Sequence, residues 1–162
     1  MSGNLTHSPA EIVLELLIAT SNAARVNSST PVDWMVFQNK TIETKELNNS
    51  NFLTDKIISV YDTEGIVNDR NFITGEYDEF HGVMIMLRLN EFEDSVGFQK
   101  AKSIQHYLDT EINRYTITVD SSNYIVHQMR RTSDIIRSSD LDDDSVMGLV
   151  YTLNYLVTIT ED

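Results

Sequence analysis

Residues 79–91 read EFHGVMIMLRLNE, and this stretch decides the fold class because its side chains alternate between two faces of an extended chain. One face is purely apolar and consists of Val83, Ile85, Leu87 and Leu89. The other is mixed and consists of Met84, Met86, Arg88 and Asn90. Such alternation predicts a half-buried β-strand. The strand leads into a segment with apolar residues at helical spacing, namely Phe98, Ala101, Ile104, Leu108 and Ile112. We therefore predict a strand-helix unit over about 79–112, with Asp94 or Ser95 as the helix N-cap.

The N-terminal part of the chain carries a second helix signal. Ser8 is a favourable N-cap, Pro9 suits the first helical position, and Glu11 completes a capping box with Ser8. An apolar stripe then continues with 3.6-residue spacing. These features predict a helix over about 9–24, which ends at the Ser, Thr and Pro residues of 27–31.

The other elements are predicted to be strands and loops. Strands are expected at 32–37, 56–61, 115–119, 124–131 and 146–160, with 115–131 forming a hairpin. Polar loops are expected at about 38–54 and 66–76, and a loop or short helix at 132–145. The order α, β, β, β, α, β, β, β predicts one α+β domain over 1–162, in which a mainly antiparallel sheet packs against two helices.

The charge of the chain excludes some classes of partner. With 12 Lys and Arg against 25 Asp and Glu, the 162 residues carry a formal charge of −13. This sign argues against a protein that binds nucleic acid by neutralising phosphates, and against an anionic membrane surface as partner. The chain has no cysteine, the first residues lack the pattern of a secretory signal, and the longest apolar run has five residues at 83–87. We expect a soluble protein made inside the cell, without a membrane partner.

The most prominent local charge is the acidic run that contains Asp140, Asp142, Asp143 and Asp144. An EF-hand calcium loop starting at Asp140 would need Gly at its sixth position and Glu at its twelfth, but Ser145 and Tyr151 stand there. The run is therefore predicted to be a solvated loop or an acidic patch that faces a partner, and not a metal site.

No signature of catalysis or cofactor binding emerges. The four histidines, His7, His81, His106 and His127, are scattered without a recognised metal-ligand spacing, and nucleotide, hydrolase and zinc-protease motifs do not occur. We predict no enzyme activity, no cofactor and no metal. The Arg130–Arg131 step is expected to form an ion pair with an acidic residue, either of the same chain or of a neighbouring subunit.

Met84 and Met86 indicate that the sheet is covered on both faces. A neighbouring subunit could cover the second face, or a further element of the same chain such as 38–54 could do so, and the sequence leaves both open.

Three stretches resemble a family of structural proteins. Residues 55–65, DKIISVYDTEG, are similar to the early strand and turn of the tail terminator, or tail completion, proteins of long-tailed bacteriophages. Residues 79–88 and 97–109 resemble the central strand-helix unit of that family. The hairpin ending near Arg130, the acidic loop and the long last strand are similar too, so the resemblance extends over about 8–160.

This resemblance implies a structural role without catalytic residues. Members form hexameric rings that cap the finished tail tube, end its elongation and join it to the head, while DNA passes through the ring. It implies the tail tube protein, a head completion or connector protein and further copies of the chain as partners, and a location at the head-proximal end of the tail in the virion. The four aspartates of the acidic run, Asp140, Asp142, Asp143 and Asp144, are then candidates for the ring lumen or rim, where acidic walls would not hold DNA phosphates.

Two alternatives stay open at this point. One is another neck or connector protein of the head-tail junction, since the fold is shared among such proteins. The other is a monomeric acidic interaction module, for example an inhibitor that mimics DNA and occupies a basic groove with its charge of −13.

Overall fold

A single β-sheet organises the described part of the chain. The structure is a computed structural model and describes residues 5–18, 35–38, 56–70, 77–89, 94–141 and 147–162. Two helices and seven strands lie in these ranges: α1 (Pro9–Ile18), β1 (Met35–Gln38), β2 (Lys56–Arg70), β3 (Tyr77–Leu89), α2 (Asp94–Thr110), β4 (Asn113–Val119), β5 (Ser122–Arg131), β6 (Ile136–Leu141) and β7 (Met147–Glu161).

The strand order is β1-β2-β3-β7-β5-β4, and β6 pairs with β7 beside β5. All pairs are antiparallel except β1 with β2. The predicted α+β class with a mainly antiparallel sheet is therefore confirmed. One edge of β7 pairs with β3, and the other is shared: β5 pairs with residues 155–161 and β6 with residues 147–152.

The core lies between one face of the sheet and both helices. Register pairs place the predicted apolar face of β3 beside the odd-numbered residues of β7, for example Ile85 opposite Leu153 and Leu87 opposite Tyr151. These side chains form one buried cluster with residues of α1 and α2. The purely apolar face of the alternation in 79–91 is therefore the side of β3 that faces the helices.

The second face of the sheet is also substantially buried. Met84, Met86 and Arg88 are half-buried on it, as expected from their alternation with the core residues. On the same face Ile57 is buried next to Arg88 of β3, which in turn lies opposite Val150, also buried. Apolar side chains therefore lie on both faces of the central strands, as predicted.

Helix α1 begins as its sequence predicts. The Glu11 amide donates to Ser8 Oγ at 3.2 Å, and the Ile12 amide donates to the Ser8 carbonyl at 3.1 Å. The Ala10 amide, which has no partner within the helix, donates to Asp62 Oδ1 of β2 at 2.8 Å. The Glu11 and Ala10 bonds satisfy donors that a helix start leaves without intrahelical partners, and the Ala10 bond also joins α1 to the sheet.

Three predicted boundaries require correction. Residues 136–141, predicted as part of a loop or short helix, form β6: their polar sequence lacks strand alternation, but pairing with β7 satisfies their backbone. Residues 66–70, predicted as a loop, continue β2, because the turn signal at 62–65 is accommodated as an irregularity in register between Thr63 and Ile66. The connection of the β4–β5 hairpin is shorter than predicted, with β5 starting at Ser122.

Other predictions fall on parts of the chain that the structure does not describe. The expected end of the first helix at 19–24 and residues 71–76 lie outside the described residues. Of the loop predicted at about 38–54, Gln38 belongs to β1 instead, and residues 39–54 lie outside the described residues. Of the helices in the described ranges, neither is long and apolar enough to cross a membrane.

Candidate functional site

The outer edge of β6 is the most distinctive surface of the described chain. Strand β6 pairs with β7 along one edge, and no described strand pairs with its other edge. Ile136, its first residue, is 49% exposed, and Phe98 on α2 is 44% exposed. They are the large apolar side chains that are exposed among the described residues. We refer to the outer edge of β6 with Phe98 and Ile136 as the β6 edge surface.

Register shows how these two side chains flank the strand. Phe98 lies 6.5 Å, between ring centroids, from Tyr151 on the helix-bearing face, and Tyr151 is the register partner of Arg137. Ile136 is opposite Thr152, whose side chain lies on the second face. Phe98 and Ile136 therefore lie on opposite faces of the sheet. The β6 edge surface combines a strand edge that no described strand covers with exposed apolar side chains, which is what a strand-pairing partner requires.

Gly97 holds Phe98 at this position. A Cβ atom on Gly97 would lie 2.4 Å from Leu89 Cδ1 and 2.5 Å from a ring carbon of Tyr151, so the start of α2 packs directly onto β3 and β7. The Lys102 ammonium lies 5.6 Å from the centroid of the Phe98 ring. Phe98 is thus presented from a closely packed part of the helix.

Apart from the β6 edge surface, a group of polar residues joins the end of α2 to the sheet. Arg131 Nη1 donates to Asp134 Oδ1 at 3.0 Å, and Arg131 Nε lies 3.7 Å from Asp109 Oδ2. The neighbouring Arg130 places its guanidinium 5.2 Å from the centroid of the Phe80 ring. Arg131 thus forms ion pairs within the chain, which is one of the two possibilities that the sequence left open.

Another polar group lies where the N-terminal segment meets the end of the sheet. We call it the N-terminal cluster, and it consists of His7, Glu11, Asp120, Tyr124 and Glu161. The Thr6 amide donates to Glu161 Oε2 at 2.8 Å. The Tyr124 hydroxyl lies 2.6 Å from His7 Nδ1 and 3.2 Å from the His7 amide nitrogen, which donates to it. His7 Nε2 lies 3.3 Å from Asp120 Oδ2.

Two carboxylates of this region have shifted pKa values, in opposite directions. Hydrogen bonds from Thr6, and also from Ser122 and Tyr124, lower the pKa of Glu161. Burial raises the pKa of Glu15, and the charges of Asp120 and Glu11 raise it further. Asp120 and Glu11 therefore add to the negative potential at Glu15, while hydrogen bonds stabilise the ionised form of Glu161.

The aspartates predicted as a functional patch are only partly described. Asp140 lies in β6 opposite Gly148, near the end of the strand, so it belongs to the sheet and not to a free loop. Asp142, Asp143 and Asp144 lie outside the described residues. The assignment of these four aspartates to the lumen or rim of a ring therefore stays a prediction.

The structure brings one of the four histidines together with two carboxylates. His7, Glu11 and Asp120 each offer a ligand atom, and these atoms lie within 4.8 Å of one another. Sequence analysis missed this group because Asp120 is distant in sequence. The four-residue spacing of His7 and Glu11 was the available signal, since residues at this spacing lie on one side of a helix start.

Comparisons with known proteins find structural similarity but no match in sequence. No family model matches the sequence, and no curated protein matches it. Among solved structures, a chain of the virion of a native gene transfer agent particle is similar, with a TM-score of 0.41 and 10% identity. The match covers 91% of this chain and 85% of that chain. Similarity at this level carries no argument about what the present chain does.

Proposed function

We propose that the chain is a structural protein of a virion, and specifically a ring-forming tail terminator that caps the tail tube, ends its elongation and joins the tail to the head. It acts by assembly and not as an enzyme. The sequence resemblance over about 8–160 and the α+β fold support this proposal. The gene transfer agent chain is compatible with it but too distant to support it.

The β6 edge surface is the observation that carries the proposal. A ring built from one kind of subunit needs a heterologous contact, in which two different surfaces of neighbouring copies meet and close. An unpaired strand edge is a template for such a contact, and exposed apolar side chains beside it add burial when a partner docks. Ile136 supplies apolar area at the start of β6, and Phe98 supplies it beside Tyr151 on the helix-bearing face of the sheet. We place one half of the subunit contact there.

The negative charge of the chain is compatible with a ring through which DNA passes. Asp140 is four residues beyond Ile136, which corresponds to about 13 Å along a strand. A contact centred on the Ile136 end of β6 therefore leaves the acidic end free for the rim or lumen. There, Asp140, Asp142, Asp143 and Asp144 would repel DNA phosphates, so that DNA slides through without being held.

The partners follow from this role. One face of the ring meets the end of the tail tube and the other meets a head completion or connector protein, and the ring lies at the head-proximal end of the tail.

Binding to tail tubes tests the proposal against its alternatives. Purified protein is mixed with tail tubes and imaged by electron microscopy after gold labelling. A tail terminator labels one end of each tube. Label along the sides, or none, contradicts the proposal. A monomer that instead binds a nucleic-acid-binding protein supports the acidic interaction module.

A further inference from the structure

Three separate parts of the chain supply the ligand atoms of the N-terminal cluster. His7 precedes α1, Glu11 lies in its first turn, and Asp120 lies in the connection between β4 and β5. The His7 side chain is 14% exposed, and the Asp120 side chain is 84% exposed. The group therefore combines a largely buried imidazole with carboxylates that solvent can reach, so that an ion has a route to it.

The neighbours of His7 determine what its two ring nitrogens can do. The Tyr124 hydroxyl accepts a hydrogen bond from the His7 amide at 3.2 Å and lies 2.6 Å from Nδ1. In the tautomer of His7 that carries its proton on Nδ1, this nitrogen donates to Tyr124 and Nε2 carries a lone pair. That tautomer is the one that binds a metal ion through Nε2.

In this tautomer the lone pair of Nε2 faces Asp120 Oδ2 at a distance of 3.3 Å, and the carboxylate oxygen is an acceptor as well. Two acceptors at this distance repel each other unless a cation lies between them. A metal ion bound by both atoms removes this repulsion.

The distance between Nε2 and Oδ2 is compatible with a shared metal ion. Two ligand atoms that each lie about 2.0–2.1 Å from a tetrahedral Zn²⁺ are about 3.3–3.4 Å apart. The separation of Nε2 and Oδ2 is 3.3 Å. Histidine ligands of metals also donate their other ring N–H to a fixed acceptor, and the Tyr124 hydroxyl, 2.6 Å from Nδ1, is placed to be that acceptor. One imidazole and two carboxylates suit a late first-row divalent cation.

We propose that His7 Nε2, Glu11 and Asp120 form a binding site for a single Zn²⁺-class cation, with solvent completing its coordination. The bound ion joins the N-terminal segment and α1 to the β4–β5 connection. It also neutralises part of the negative potential created by Glu11, Glu15 and Asp120. This inference does not depend on ring formation, because all three ligands belong to one chain.

Titration of the full-length, untagged protein with Zn²⁺ and Co²⁺ tests the site. We expect one equivalent to bind, a visible absorption band with Co²⁺, and a rise in Tm of about 5–10 °C at about 100-fold excess of Zn²⁺ over Kd. His7→Gln and Asp120→Asn are each expected to weaken Zn²⁺ binding at least about tenfold, since even indirect contacts to a metal change affinity by that amount. Asn suits position 120, where φ is 51°, so the variant keeps the backbone conformation.

Two further variants separate the site from general effects. His106→Gln removes an exposed histidine on α2 and should leave binding unchanged. Tyr124→Phe keeps the three ligands but removes the acceptor of Nδ1–H, so it should weaken binding about 10–100-fold. Circular dichroism establishes that each variant is folded, and Glu11→Gln provides an independent ligand variant.

Several results would overturn the proposal. They are the absence of a Zn²⁺-dependent rise in Tm, equal affinities of His7→Gln and the unaltered protein, and a ¹⁵N NMR spectrum in which His7 is protonated on both nitrogens and unaffected by Zn²⁺. The last result would mean that the cluster holds a proton only.

Discussion

The hydroxyl of Tyr155 donates a hydrogen bond of 3.1 Å to Asp109 Oδ1, and Asp109 Oδ2 lies 3.7 Å from Arg131 Nε. Tyr155 and Arg131 are themselves register partners on β7 and β5. This arrangement joins the last turn of α2 to two neighbouring strands. Burial and the Asp109 charge raise the pKa of Tyr155 well above its ordinary value, so the hydroxyl stays a donor at physiological pH.

Tyr155→Phe should destabilise the protein by about 1–2 kcal/mol, because it removes this hydrogen bond while keeping the ring in the core. Urea unfolding followed by circular dichroism measures the change. Tyr115→Phe on β4, which packs at the margin of the same core, is the matched control and should change stability less. Equal effects of the two variants would show that the Asp109 contact contributes nothing.

Gly97→Ala should destabilise the protein by about 1–3 kcal/mol, since the added methyl group would overlap Leu89 and Tyr151. This sign is diagnostic, because replacing Gly by Ala inside an open helix stabilises by about 1 kcal/mol. Ser103→Ala, at an exposed position of the same helix, is the control and should be neutral or slightly stabilising. A stabilising Gly97→Ala would contradict the close contact of α2 with the sheet.

Glu15→Gln should stabilise the protein near pH 7. The pKa of Glu15 is raised above 4.5 in the folded state, mainly by burial and then by Asp120 and Glu11. The folded protein therefore binds this proton more tightly, and stability falls as pH rises from 4.5 through the raised pKa. The advantage of the variant should shrink as pH falls towards 4.5. Unfolding across this range with a chelator present measures it, and an advantage that does not vary with pH would contradict the prediction.

Glu161→Gln should have the opposite effect. The pKa of Glu161 is lowered in the folded state by the hydrogen bond from the Thr6 amide. Its contribution to stability is present above pH 4.5 and is lost as pH falls through the lowered pKa. The variant should therefore be less stable than the unaltered protein at pH 7, and the two should converge in acid. A stabilising effect at pH 7 would contradict this assignment.

Ile136→Asn should prevent assembly and leave the monomer folded. The side chain is 49% exposed, so its replacement should cost the monomer about 1 kcal/mol or less. It removes apolar area from the β6 edge surface, and it does so without adding charge. Native mass spectrometry measures the oligomer. Thr116→Asn, at an exposed position of β4, is the control and should assemble normally.

The central part of the fold could be predicted from sequence because its signals are local. The alternation from Val83 to Leu89 reports burial on one side of a strand, and the Ser8, Pro9 and Glu11 pattern reports a helix start. Strand β6 could not be predicted in this way. Its residues IRSSDL have no alternation, and they become a strand because β7 offers an unpaired edge.

The candidate surfaces depended on contacts that local patterns do not encode. Asp120 reaches His7 only because the sheet brings the β4–β5 connection to the start of α1, a separation of 113 residues. Likewise, exposure of Ile136 follows from the pairing of β6 and not from its neighbours in sequence. By contrast, the ion pairing of Arg131 could be anticipated, since a chain with 25 acidic residues offers many partners.

Ring closure is the central claim, and electrostatics makes it testable in a single titration. Six copies at −13 each bring a charge of −78 together, so repulsion between subunits should oppose closure. The Debye length shortens from ~30 Å at 0.01 M salt to ~10 Å at 0.1 M, which weakens this repulsion. The most direct measurement is native mass spectrometry with electron microscopy across this salt range. We predict closed hexameric rings whose fraction rises with salt, and a monomer at every concentration and salt would contradict the account.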